Sequence, residues 1–370
     1  MNLGLPVPFP RRGVPARGGA ARGGAARAGA LALALALALA LGGVVVTLGG
    51  GGAASASSSH GSLTLYSGQH VQTTQALVNG FEKETGISVS IRSDDEDVLA
   101  DQIETEGSRS PADVFFAENS PPLQVLASKG LLSTVGASTL ARSPSRFNSP
   151  QGKWVGVTAR VSVLVYNTSL VKKSQLPTSA MQLAKPKWKG KLAVAGGETD
   201  FQPIVTSIAR AHGQAAALKW LEAYKANAGG HSYPNNETLV DQVNRGQAAI
   251  GIINEYYWYR ERGLVGASNM HSALAYFAPH DVGYVIDVSG AGILKSSTHQ
   301  AQAQKFLAYL TSVAGQEIIN HGQSWEYPIA SGVKRTGETP FGQLQPNSIS
   351  VAQLGTGALA IKLLQEAQLL

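Results

Sequence analysis

The chain has 370 residues, of which 44% are hydrophobic and 15% charged, and it contains no cysteine. These values exclude a disordered chain, a disulfide scaffold, a thiolate metal site and a cysteine nucleophile. The formal net charge is +6, but five of the positive charges are arginines in residues 1–56, where no acid occurs. Because no basic stripe remains in the rest of the chain, no nucleic-acid partner is expected.

The first segment has the pattern of an export signal. Its arginine-rich start is followed by an apolar run from Ala28 to Leu48 and by Ala54-Ser55-Ala56, which is typical of a cleavage site. We predict that residues 1–56 are a signal peptide; the alternative is an uncleaved anchor, since about 20 apolar residues span a bilayer. Either arrangement places the body of the protein in the periplasm or on the extracellular face of the cytoplasmic membrane.

Strands and helices alternate in the first part of the exported body. Strands are predicted over 62–67, 87–91 and 112–116, and helices over 73–85 and 97–106. This β-α-β order predicts a parallel sheet.

A second α/β lobe is predicted next. Its elements are strands over 161–167, 192–194 and 248–253 and a helix over 201–224. Residues 281–294 and a helix over 301–312 then return the chain to the first lobe. The predicted units are the segment 1–56, a discontinuous first lobe of 62–157 and about 281–370, and a second lobe of 158–280.

Polar side chains follow two of the predicted strands of the first lobe. His70 lies just past the strand over 62–67, and Glu118 follows the strand over 112–116. In open α/β sheets, ligands bind beyond the carboxyl ends of the strands, so both residues are expected at one crevice. Each alone also fits a structural role, the histidine as a cap and the glutamate as a helix-start acid.

Two adjacent tyrosines follow the strand predicted over 248–253. Neighbouring side chains point to opposite faces of a strand, but on a helix they diverge by only about 100°. We predict that Asn254 caps a helix whose first turn directs Tyr256 and Tyr257 into the crevice. The alternative is that the tyrosines are interfacial aromatics without a ligand role.

A pair of phenolates favours a highly charged metal ion. Phenol has a pKa near 10, so a metal must compete strongly to displace its proton. Two phenolates and one carboxylate balance the charge of Fe(III) and leave a neutral imidazole as the fourth ligand. Zinc and copper would favour more histidine, and calcium more carboxylate.

Four stretches of the sequence carry a family resemblance. They are Tyr66-Ser67-Gly68-Gln69-His70, Phe81-Glu82-Lys83-Glu84-Thr85-Gly86-Ile87, Pro111-Ala112-Asp113-Val114-Phe115-Phe116-Ala117-Glu118 and Asn254-Glu255-Tyr256-Tyr257-Trp258. Together they resemble the periplasmic ferric-ion-binding proteins, the substrate-binding components of bacterial iron ABC transporters in extracellular solute-binding protein family 1. The likeness runs from about residue 62 to beyond Tyr327-Pro328 and includes residues 187–191 and 289–297.

The resemblance implies an α/β, two-lobed periplasmic-binding-protein fold with a hinged cleft. One Fe(III) would be held by His70 and Glu118 from one lobe and by Tyr256 and Tyr257 from the other. In the branch of the family with the histidine, an anion such as phosphate or carbonate completes the coordination. The residues matching the anion site by position are Asn119, Asn236, Asn254, Arg160 and Thr199.

Two departures from the family pattern concern the anion. Family members usually have glutamine in place of Asn119, and the loop over 197–201 carries Glu198 and Asp200 where others have small neutral residues. An acid there would repel phosphate. Arg160 has the alternative role of a surface salt-bridge partner.

The resulting hypothesis is a monomeric, extracytoplasmic Fe(III)-binding protein without enzymatic activity. It would deliver iron to an ABC transporter permease and its ATPase. One alternative is a protein of the same fold for thiamine, a polyamine or phosphonate, in which the tyrosines form an aromatic cage. The other is a secreted hydrolase, which is disfavoured because the sequence has no Gly-x-Ser-x-Gly or His-Glu-x-x-His motif.

Overall fold

The computed structural model of the chain describes residues 61–333 and 339–370. The predicted signal peptide over 1–56 lies outside these ranges, so its cleavage stays a prediction. No helix within the described ranges combines the length and the apolar character needed to cross a membrane.

The predicted strands are present, with several ends displaced, and the strand predicted over 161–167 begins at Trp154. The structure also has strands and helices that were not predicted. The strands are β1 Ser62–Ser67, β2 Ser88–Ser93, β3 Val114–Ala117, β4 Trp154–Asn167, β5 Leu192–Ala193, β6 Ile250–Asn254, β7 Ser272–Ala275, β8 Ile286–Ile293 and β9 Tyr327–Pro328. The α-helices are α1 Val71–Thr85, α2 Glu96–Glu106, α3 Ser120–Ser128, α4 Ala137–Leu140, α5 Gln202–His212, α6 Gln214–Ala228, α7 Asn236–Asn244, α8 Glu255–Val265, α9 Gln300–Leu310, α10 Val313–His321, α11 Val351–Leu354 and α12 Ala358–Glu366. Short 3-10 turns lie between some of them, including Thr199–Phe201.

In the described ranges the strands form a mixed sheet of nine strands. Its main path has the order β2-β1-β3-β8-β4-β6-β5, and β7 and β9 both pair with β4. β1 is parallel to β2 and β3, as the β-α-β pattern predicts, and β5 is parallel to β6. The expectation of a parallel sheet is wrong for β8 and β4, because β8 returns from a distant part of the chain and enters beside β3 in the opposite direction.

Strand β4 connects two parts of this sheet. Residues 154–161 pair with β8, and residues 162–166 pair with β6. The register shifts between Gly156 and Thr158, which bends the strand. A Cβ atom at Gly156 would lie 2.5 Å from the carbonyl oxygen of Phe147, so the bend has room only for glycine. Every residue of β4 is buried.

Buried apolar side chains fix the sheet from its two faces. One cluster contains Leu65, Phe81, Phe116 and Phe306, which join β1 and β3 to α1 and α9. A larger cluster joins β4 and β6 to helices α5, α6 and α7. The strand ends that carry polar residues are therefore held by rigid, fully packed elements.

The helix predicted over 201–224 is two helices. α5 ends at His212 and α6 begins at Gln214, with Gly213 between them at φ 88° and ψ 156°. The prediction was wrong because apolar spacing continues across the break, while the break itself depends on a backbone conformation that favours glycine.

The variant Gly213→Ala is expected to lower the free energy of unfolding by about 1–3 kcal/mol, because alanine resists this conformation. Gly263→Ala is the matched control: a Cβ atom added at either glycine would meet no other atom within 4 Å, but Gly263 lies inside α8. The control should gain about 0.5–1 kcal/mol from helix propensity. Denaturant unfolding measures both, and equal losses would contradict the role given to Gly213.

Candidate metal centre

The ends of β1 and β3 bring His70 and Glu118 together. The two strands are parallel neighbours, so their carboxyl ends lie at the same edge of the sheet. His70 Nδ1 lies 3.4 Å from Glu118 Oε1. Within the described ranges, His70 Nε2 is buried and has no hydrogen-bond partner.

Helix α8 presents two tyrosines to the same place. It begins directly after β6, so Tyr256 and Tyr257 lie in its first turn, as predicted. Their ring centroids are 4.1 Å apart. The Tyr256 hydroxyl donates a hydrogen bond to Glu118 Oε1 at 2.7 Å, and the ring of His70 meets the Tyr256 ring edge-on at 5.2 Å. The structure therefore brings together the four side chains predicted as metal ligands.

Asp200 is a fifth member of this group. It is buried on the turn Thr199–Phe201, and its Oδ2 accepts hydrogen bonds from Tyr256 at 3.1 Å and from Tyr257 at 2.8 Å. Sequence reasoning treated Asp200 only as a charge unfavourable to phosphate and missed it as a candidate ligand. The available signal was an acid replacing a small neutral residue in a loop already assigned to the site.

The tyrosines are necessary for a metal site of this kind. Among the described residues, no group of three His, Asp or Glu side chains is placed to hold a metal ion. With the two phenol oxygens, the arrangement offers one imidazole and four oxygen-bearing side chains, which is a hard donor set.

Arg160 links the site to the interior of the protein. It is fully buried on β4, which excludes the surface salt bridge considered for it. Its Nε lies 3.4 Å from Asp200 Oδ1, and its Nη1 donates to Glu326 Oε1 at 3.0 Å. Its Nη2 donates to the backbone carbonyl of Glu118. Arg160 therefore contacts both Asp200 and the backbone of Glu118, which belong to different segments of the chain.

Glu326 continues this network toward His70. Its Oε1 also accepts hydrogen bonds from Thr158 at 2.9 Å and from Gln69 Nε2 at 3.3 Å. Gln69 Oε1 in turn accepts a hydrogen bond from the backbone N–H of His70 at 2.6 Å. The side chains around Glu326 thus fix the backbone on which His70 is mounted.

Acidic neighbours keep Arg160 charged. Desolvation by itself would lower the pKa of its guanidinium, but surrounding carboxylates raise that pKa well above its usual value. These carboxylates belong to Asp200, Asp287, Glu118 and Glu326.

Burial raises the pKa of three candidate ligands, whereas by itself it would lower that of Arg160. It raises the pKa of Asp200, and the charge of Glu118 adds to the rise while Arg160 opposes it. Burial also raises the pKa of Tyr256 and Tyr257 well above that of free phenol, with a further contribution from Asp200. Without a metal, both phenols are therefore protonated at neutral pH.

Further buried acids surround the group. Burial raises the pKa of Glu198 well above its usual value, and Asp200 and Glu118 add to it. The same holds for Glu96, where burial comes first and Glu118 second. Carboxylates that raise one another's pKa in this way are typical of a site built for a cation.

The residues predicted to hold an anion have different surroundings in the structure. Asn119 Nδ2 donates to Glu96 Oε1 at 2.8 Å, so one of its amide hydrogens is already used. Asn236 and Asp200 border a cavity of about 10 Å³, which has room for about one water molecule. Thr199 lies half-buried on the turn before Asp200.

Asn254 differs from its prediction in one respect. It occupies the N-cap position of α8, but its side chain makes no capping hydrogen bond. In the described ranges its Nδ2 is buried and has no hydrogen-bond partner. Residue type and position therefore predicted the start of the helix but not the contact that the side chain makes.

Arg260 covers the outer side of the tyrosine pair. Its guanidinium carbon lies 4.6 Å from the Tyr256 ring centroid and 5.9 Å from that of Tyr257. Burial lowers the pKa of Arg260 to about 9, although Glu326 opposes the shift, so the group is still a cation at neutral pH. Sequence reasoning assigned Arg260 only to the helix end.

The sequence and the fold are similar to those of known solute-binding proteins. The profile described as bacterial extracellular solute-binding protein matches residues 67–317. The Fe(3+)-binding periplasmic protein of Serratia marcescens is 37% identical over 309 residues, covering 83% of this chain and 90% of that protein. Iron-bound HitA from Pseudomonas aeruginosa superposes with a TM-score of 0.79 at 39% identity, covering 83% of this chain and 99% of that chain. Trichodesmium IdiA (FutA), in complex with iron and citrate, gives a TM-score of 0.73 at 29% identity, covering 83% of this chain and 99% of that chain.

These matches confirm the predicted resemblance and the α/β periplasmic-binding-protein fold. Since the matched family binds solutes, the prediction of a binding protein rather than an enzyme is also confirmed. The chain belongs to the family of bacterial extracellular solute-binding proteins.

Proposed function

We propose that this protein binds Fe(III) outside the cytoplasm and delivers it to an ABC transporter. One observation carries the proposal: two adjacent phenols and two carboxylates meet through hydrogen bonds of 2.7–3.1 Å beside an imidazole. The relatives named for iron, and the structures named as iron-bound, support the same cargo. Family membership supports an ABC permease with its ATPase as the partner, and we expect the protein to act as a monomer.

The donor set suits a hard, trivalent cation. The phenol proton of Tyr257 lies toward Asp200, and the single phenol proton of Tyr256 is shared between Glu118 and Asp200, so both separate oxygens that would otherwise repel one another. Fe(III) can replace both protons and bind all of these oxygens. His70 can contribute a ring nitrogen, since its Nε2 has no protein partner within the described ranges.

Charge balance favours binding without an added anion. Two phenolates with Glu118 and Asp200 would carry four negative charges, which already exceeds the charge of Fe(III) by one, and Arg160 is shared between Asp200 and Glu326. Phosphate or carbonate would add negative charge at a site already rich in acids. We therefore infer that the Asp200 carboxylate takes the place of the anion expected from the family resemblance.

The chain positions of these ligands support a cleft between two lobes. His70 and Glu118 belong to the proposed first lobe, 62–157 and about 281–370, whereas Asp200 and the tyrosines belong to 158–280. Strand β4 crosses between the two parts of the sheet, which makes it the candidate hinge. A metal that joins ligands from both lobes would favour the closed arrangement.

An organic cation is a less suitable cargo for this geometry. An aromatic cage needs open ring faces around the ligand. Here the rings of Tyr256 and Tyr257 lie 4.1 Å apart, and Arg260 covers the pair. Arg260 therefore already occupies a ring face that an organic cation would need.

Iron-loaded protein is expected to be red to purple, because electrons of the bound phenolates absorb visible light when transferred to Fe(III). Tyr256→Phe and Tyr257→Phe should each weaken the band and lower iron affinity by more than about 100-fold, beyond the loss typical of an indirect contact. Tyr259→Phe, on the same helix, is the matched control and should keep the colour. Visible spectra and competitive iron titration measure both effects, and a colourless iron-loaded parent would contradict phenolate ligation.

Removal of the Asp200 carboxylate should make iron binding depend on an added anion. The parent is expected to bind iron equally well with and without carbonate or phosphate, while Asp200→Asn binds weakly unless one of them is present. Asp241→Asn removes the same charge from a surface residue of α7 and serves as control. A parent that needs an anion, titrated in carbonate-free buffer, would show that Asp200 does not fill this role.

Iron affinity should fall as the pH falls. Because burial raises the pKa of both tyrosines, the metal-free phenols are protonated, and binding must release about two protons. The affinity should therefore drop by up to about two log units for each unit of pH below neutrality. Titrations between pH 7 and about pH 5 measure the slope, and a flat profile would rule out the two phenolates as ligands.

A further inference from the structure

We infer that Arg260 is a positioning residue for iron binding, whose guanidinium stabilises through the ring faces the negative charge that Tyr256 and Tyr257 acquire on the metal. This inference rests on the proposed function. It concerns a residue placed against the rings of the two tyrosines.

The geometry of α8 supplies this contact. Arg260 follows Tyr256 by four residues and Tyr257 by three, so all three side chains lie on one side of the helix. The guanidinium carbon is 4.6 Å from the nearer ring centroid and 5.9 Å from the other, within the range of a cation–π interaction. One arginine therefore serves both rings.

Two carboxylates, those of Glu237 and Glu326, act on this arginine from outside the tyrosine pair. Its side chain is only 12% exposed, and within the described ranges its Nε has no hydrogen-bond partner. It forms a salt bridge with Glu237, whose carboxylate is 3.8 Å away and 59% exposed, which makes a weak, solvent-screened pair. Burying this guanidinium is costly while the phenols are neutral, and Glu326 offsets that cost only in part, since burial still lowers the pKa of Arg260.

Iron binding changes this balance. When the phenols lose their protons, the electron density of both rings rises and the attraction of the cation increases. The cost of burying Arg260 in the metal-free protein is thereby recovered only when the cargo is bound. Because the guanidinium of Arg260 lies against the rings, it leaves the hydroxyl oxygens available to bind the metal.

The test compares iron-loaded Arg260→Gln, Arg260→Lys and Arg262→Gln with the parent. Arg262 is the matched control, since it lies on the same helix but is exposed and stacks over Trp258 at 5.8 Å. Arg260→Gln should move the phenolate band to longer wavelength, because electrons of a less stabilised phenolate transfer more easily. It should also weaken iron binding about tenfold. Arg260→Lys should retain most of both properties, and Arg262→Gln should match the parent.

The outcomes separate this inference from the proposed function. If the parent binds iron and Arg260→Gln has the same band position as the parent, the role of Arg260 is overturned and the proposed function is not. An equal change in Arg260→Lys and Arg260→Gln also overturns that role, because it would indicate lost packing rather than lost charge. A parent that binds no iron overturns both proposals. If Arg260→Gln does not fold, Arg260→Met takes its place, because it also removes the charge and keeps an unbranched side chain. The same shift to longer wavelength is then expected, and an unchanged band would overturn the role of Arg260.

Discussion

The site depends on one shared acceptor, the Oδ2 atom of Asp200, to which both tyrosines donate. Buried carboxylates and phenols are stable side by side only while protons or a metal ion separate their oxygens. In the structure the two phenol protons have this role, between Asp200, Glu118 and the tyrosines. A trivalent ion could take over the same role, as proposed above, because it would attract the same oxygens.

The surrounding scaffold keeps the acids where this exchange needs them. Arg160 approaches Asp200 from one direction and the Glu118 backbone from another, while Glu326 joins Arg160 to the segment that carries His70. Burying an isolated ion pair costs desolvation free energy. In this network each charged group also makes hydrogen bonds to its neighbours, which offsets that cost and holds the side chains in place. The network explains why residues distant in the chain converge on one point.

The convergence of the four predicted side chains could be predicted from sequence, because their positions obey local rules. His70 and Glu118 follow parallel strands, and two adjacent tyrosines converge only on a helix. The contact of Asp200 with the tyrosines was not predictable, since it requires a turn to approach a helix 56 residues away. The antiparallel entry of β8 and the helix break at Gly213 were likewise decided by tertiary pairing and backbone conformation, which apolar spacing does not report.

Strand β4 bears on how such a molecule moves. Its residues are buried throughout, and it is bonded to β8 along one half and to β6 along the other. The closure proposed above would therefore have to be absorbed as torsion inside a continuous ladder, since β4 is paired along both halves. The register shift near Gly156 interrupts that ladder, so torsion there would break the fewest hydrogen bonds.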